Sequence, residues 1–66
     1  MTTAENLEFL GYDKDNDKAW KHKREDRVVW ADSAADAADI MNIGIYGQAL
    51  EDATGEHGPF TPDPKR

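Results

Sequence analysis

The sequence predicts a small α+β domain, an antiparallel sheet of two or three strands packed on one principal helix, with a flexible C-terminal tail. Three observations carry that prediction. Aromatic residues recur at Tyr12, Trp20 and Trp30 with polar clusters Asp13 to Asp17 and Arg24 to Asp26 between them, the spacing of a three-strand meander. The run Arg27-Val28-Val29-Trp30-Ala31 is short and rich in β-branched and aromatic residues, the profile of a strand, and an Ala-rich stretch follows it at once. Finally, 66 residues without Cys make one domain at most, whose core supplies only about 3–5 kcal/mol. The large apolar side chains suffice for one layer of helix on one layer of sheet and leave none for a second core.

The N-terminal segment admits two readings. Thr2-x-x-Glu5 has the form of a capping box, and Leu7 with Gly11 and Tyr12 matches a Schellman helix end, so a short opening helix competes with a first strand over residues 2–11. Lys18 to Glu25 has helical propensity, but Trp20 is its one apolar anchor, which favours an edge strand. The principal helix runs from about Ser33 to at least Asn42, with Asp32 or Ser33 able to accept from the free N–H groups of its first turn. Gly44 and Gly47 each cost about 1 kcal/mol in a helix interior. Continuation to Ala53 is still compatible with the pattern, with Gly55 placed for a left-handed cap. Residues 1–56 therefore form the expected domain. Residues 57–66 carry three prolines and one large apolar residue, Phe60, and read as a mobile tail.

Charge is split along the chain. From Val28 to Glu56 there are six acids and no Lys or Arg, whereas every base except Lys65 and Arg66 lies between Lys14 and Arg27. A net charge of −6 favours basic partners over nucleic acid, whose binders neutralise phosphates with Lys and Arg. The basic stretch does enclose Trp20, a combination that stacks bases and grips phosphates. Across residues 13–27, however, six bases face five acids, leaving a net charge of only +1, so direct nucleic-acid binding is disfavoured. The N-terminus lacks a basic and apolar leader, and no apolar run reaches the ~18 residues of a membrane span. An intracellular, cytoplasmic protein without membrane contact is expected.

No cofactor and no metal are expected. His22 and His57 stand alone, and zinc sites built on cysteine are impossible. Asp13, Asp15 and Asp17 alternate as the first ligands of a calcium loop do, but the sixth position is Lys18 instead of glycine and the twelfth is Arg24 instead of glutamate. A turn stabilised by Asx-type hydrogen bonds accounts for the same residues. Ser33 is claimed by the helix cap and there is no cysteine nucleophile, so catalysis is not expected.

At 100° per residue, Asp32, Asp36 and Asp39 share one face of the principal helix, while Ala34, Ala37, Ala38, Met41, Ile45 and Ala49 cover the other. Continuing the helix places Ile43, Tyr46 and Leu50 on the acidic face, with Glu51 and Asp52 beyond. Either the helix breaks at Gly44 and returns the apolar residues to the core, or they form a contact patch with the acids. The expected function is non-catalytic binding, in which this face occupies a basic surface, one that normally holds nucleic acid, on a larger protein. In size and charge, though in no motif, the chain resembles inhibitors from phages and mobile elements, among them those that block CRISPR effectors. A homodimer closed by Ile43, Tyr46 and Leu50 is the alternative.

Overall fold

The computed structural model describes residues 1–44 and 46–64. Three strands form an antiparallel meander: β1 (Leu7–Tyr12), β2 (Lys18–His22) and β3 (Val28–Trp30), in the spatial order β1-β2-β3. β2 is therefore the central strand, not an edge strand, because both its neighbours in sequence return alongside it. Two helices follow, α1 (Ala34–Ile43) and α2 (Leu50–His57). The three-strand sheet and the principal helix are as the sequence predicts.

The opening helix does not form. Residues Ala4–Asn6 make a single 3-10 turn, in which the Asn6 carboxamide oxygen accepts from the Thr3 N–H at 2.9 Å and its hydroxyl at 3.2 Å. Thr2 serves instead to dock the terminus on α1: Asn42 accepts from the Thr2 N–H and donates to its carbonyl, at 2.9 and 2.7 Å. Gly11 is a strand residue rather than a helix end. The β1–β2 register slips between Phe9 and Gly11, and Gly11 takes φ +122°, where a Cβ would collide with the Thr61 carbonyl.

α1 begins as expected, with Ser33 Oγ accepting from the Asp36 N–H. It ends at Ile43 and does not continue through Gly44. α2 runs past Gly55, and the residue that ends it is Gly58, at φ +82°. The ladder of α2 tolerates Gly55 in its exposed interior. Ile45, assigned to the core face from sequence, lies outside the described residues, as do Lys65 and Arg66.

The break between the helices is held by two adjacent side chains at the entrance to β3. The Arg27 guanidinium donates to the carbonyls of Met41 (3.1 Å), Gly44 (2.5 Å) and Tyr46 (2.8 Å). Two of these carbonyls, those of Met41 and Gly44, belong to the C-terminal end of α1, which has no base of its own in its last turn. Asp26 accepts from the Leu50 N–H at 2.8 Å and caps the N-terminus of α2, where Ala49 has no side chain to do so. Gly47 passes so close to Arg27 that a Cβ would sit 2.9 Å from its Cγ.

Residues of alternating side-chain direction in the strands feed two small apolar clusters, one on each sheet face. Leu7 and Val29 pack with Ala37, Ala38 and Met41 of α1, flanked by Trp20, Ala31 and Ile40. Ala19 and Val28 pack with Ala53 of α2, flanked by Leu10, Trp30, Leu50 and Phe60. The second cluster corrects the expectation of a single core. It is possible because Ala19 and Ala53 are small enough to bring α2 close to the sheet, so few large side chains are needed.

Both outer strands carry one further antiparallel bridge, Val28 with Gln48 and Tyr12 with Thr61. The C-terminal segment consequently stays on the domain beyond residue 57. His57 is the last residue of α2, Phe60 packs on the second cluster, and Pro59 before the Thr61 bridge and Pro62, Asp63 and Pro64 after it are exposed.

Three consequences are measurable by urea denaturation. Arg27→Met should lower stability by about 2–3 kcal/mol, since charged donors to three carbonyls are lost together. Asp26→Ala, which removes a single cap, should cost about 1 kcal/mol. Ending the chain after Gly58 should cost about 2 kcal/mol through the burial of Phe60; an unchanged midpoint would show that the tail contributes nothing to the fold.

Candidate functional site

The outer face of α1 is built by the helix's own period. Asp36, Asp39 and Ile43 fall within one narrow band, Asp32 precedes them just before the Ser33 cap and outside the helix, and all four are exposed, Ile43 to 75%. Tyr46, 57% exposed, lies past the helix end with its ring against Gly44. Among the described residues none of the three carboxylates has an ion-pair partner. The other candidates are elsewhere. Once α1 stops at Ile43 its phase no longer governs residue 50, and Leu50 is half-buried against the second cluster. Glu51 and Asp52 are exposed in the first turn of α2, which covers the opposite face of the sheet.

The bases of the basic stretch are partly committed to the fold. Arg27 is spent on the end of α1, the Lys21 ammonium donates to the His22 carbonyl at 3.0 Å, and Lys14 and Lys23 lie in the turns at opposite ends of β2. Trp20 packs beside the first cluster, its indole N–H donating to the Ala31 carbonyl at 2.8 Å. No helix among the described residues is long and apolar enough to cross a membrane.

The turn after β1 contains a buried carboxylate that the sequence did not distinguish from its neighbours. Asp13, 1% exposed, accepts from the N–H groups of Asp15 and Asp17 at 2.8 and 2.9 Å, the Asx-type closure expected of this stretch. Its second oxygen lies 3.6 Å from Nδ1 of His57, whose Nε2 is 3.2 Å from Glu56. Burial pushes the Asp13 carboxyl up, but the two backbone donors, His57 and the Trp30 indole together hold it below the ordinary aspartate value. The Trp30 N–H is buried and has no acceptor at hydrogen-bond geometry, yet it is near enough to favour the charged form. Asp13, Asp15 and His57 could approach a cation together; Asp17 does not join them. The hydrogen bonds on Asp13 already account for its position, and no metal role is assigned.

A groove also opens beside the acidic face. Phe9, Tyr12 and Trp20 form its floor, with Lys18, Asp32, Ser33 and Ala34 around it, and its volume is about 350 Å³. Phe9 stacks tilted on its cross-strand partner Trp20 at 4.9 Å and meets the Tyr12 ring edge-on at 5.5 Å. In a regular strand Phe9 and Tyr12 would point to opposite faces. The register slip at Leu10 puts both on one face, a rearrangement no period-2 pattern reveals. Comparison with protein-family models, curated proteins and solved structures finds no match to this chain.

The lowered Asp13 value fixes the direction of an acid effect. A carboxyl whose folded value lies below the unfolded one stabilises the fold fully above about pH 3.9 and loses that contribution as pH falls toward the depressed value. Asp13→Asn should therefore be less stable than wild type at neutral pH, and the gap should narrow in that acid range. Parallel stability curves for the two proteins down to pH 2 would exclude a charged role for Asp13.

Proposed function

We propose that the protein is a non-catalytic binding module that lays the outer face of α1 on a basic surface of a larger protein. The observation that carries this reading is the stripe Asp32, Asp36, Asp39 and Ile43: three exposed carboxylates with no ion partner among the described residues, ending in an exposed isoleucine. Carboxylates at helical spacing can take the place of phosphates on a surface that normally holds nucleic acid, and opposite fields speed encounter. Inhibition of such a partner, in the manner of the small acidic inhibitors of phages and mobile elements, follows from occupying that surface. Structural use of Arg27 supports the reading, because it removes the base nearest the end of α1 from competition for the stripe.

A second reading rests on Ile43 and Tyr46, the apolar pair left exposed at the end of α1. They could close a homodimer, with the acids serving to keep it dispersed. Sedimentation at high concentration separates the two, since the first reading requires a monomer in the absence of partner.

Affinity capture from the source cell, followed by titration of the captured protein, tests the acidic face. The double variant Asp36→Lys/Asp39→Lys should bind about 100-fold more weakly and remain folded, because both side chains are exposed and like charges at an interface cost several kcal/mol. Wild-type affinity should fall as salt rises. Equal affinity of the folded variant would rule out this face.

A further inference from the structure

We infer that the aromatic groove beside α1 is a seat for a guanidinium group, so that the partner engages the acidic face with an arginine side chain laid over Phe9 and Trp20 against Asp32. The inference rests on the acidic-face reading and names the chemistry by which the partner would be held. Phe9 is 42% exposed in a chain with little apolar material to leave uncovered. The faces of its ring and its neighbours carry negative potential, which attracts cations. Arginine suits such a floor better than lysine, because its planar, weakly hydrated head can stack on a ring while still donating to a carboxylate. Asp32 supplies that carboxylate. It lines the groove, has no ion partner among the described residues, and begins the stripe that continues through Asp36 and Asp39. At about 350 Å³ the groove is at the small end of ligand clefts, room for a side chain rather than a large ligand.

Two features of the wall favour an anion instead, and both are offset. The Lys18 ammonium donates to the Asp32 carbonyl at 3.4 Å, which holds it toward the start of α1. The positive end of α1 is countered by Asp32 and Asp36, and one of its N–H groups is taken by Ser33. A phosphate or nucleotide entering the groove would meet Asp32, Asp36 and a chain of net charge −6.

The test is titration of the isotope-labelled protein with blocked hexa-arginine and hexa-lysine peptides at low salt, followed by nuclear magnetic resonance. Hexa-arginine should bind about three- to tenfold more tightly than hexa-lysine. It should shift the indole signal of Trp20 and leave that of Trp30, which packs on the other sheet face, in place. Lys18→Met should tighten hexa-arginine binding, and Phe9→Leu, which keeps an apolar side chain but removes the ring, should erase the preference for arginine. Equal affinities with a stationary Trp20 signal would overturn the seat, as would weaker binding by Lys18→Met. If both peptides bind equally and Asp36→Lys/Asp39→Lys abolishes that binding, the acidic-face reading stands and the seat alone fails. If Trp20 still responds selectively to hexa-arginine in that double variant with undiminished affinity, the seat stands and the acidic-face reading fails. Absence of binding by either peptide would overturn both.

Discussion

The arrangement of this domain depends on the consecutive residues Asp26 and Arg27, which cap two helix ends that belong to other parts of the chain. An acid sits at the N-terminus of α2 and a base at the C-terminus of α1, so each charge matches the helix dipole it meets as well as the backbone groups it satisfies. A guanidinium can do this for three carbonyls at once because its donors are fixed in a planar fork; an ammonium would reach them only as a point charge. Between the two caps the chain leaves α1, crosses the outer edge of β3 through the Gln48 bridge and enters α2 on the other side of the sheet.

Crossing the sheet edge lets a chain of 66 residues use both faces of three strands. Val29 serves one cluster and Val28 the other, and alanines at the helix contacts keep each layer thin. The buried Asp13 performs a similar service at the far end of the sheet. It closes the β1–β2 turn and faces the last residue of α2, and its charge is tolerated because two backbone donors and the His57 ring surround it.

These structural duties shape the surface available for binding. Arg27 and Lys21 donate to backbone carbonyls, and Lys14 and Lys23 lie in turns at opposite ends of β2. The carboxylates of α1 have no such internal task beyond the turn in which the helix begins. None of them has an ion-pair partner among the described residues, and the groove with its aromatic floor opens where the stripe starts.

The sequence by itself determined the elements whose cause is local. Aromatic spacing defined the meander, Val28-Val29-Trp30 the last strand, and Ser33 with the following alanines the start of α1. The helical period put Asp36, Asp39 and Ile43 on one face without reference to anything beyond the helix, whereas Asp32 lies just outside it, before the Ser33 cap. Tertiary structure decided where helices stop and which exposed-looking residues are used. Glycine content left the continuation through Gly44 open, and the carbonyl groups freed there find their donor in Arg27, 17 residues earlier in the chain. The fates of Leu50, Asp13 and His57 were decided in the same way, because each depends on a contact with a distant segment. The Phe9–Tyr12–Trp20 groove depends on a bulge that reverses side-chain direction within β1. Periodicity reports only what a residue's own element dictates, whereas caps, bulges and buried charges are settled by whichever distant group completes their hydrogen bonds.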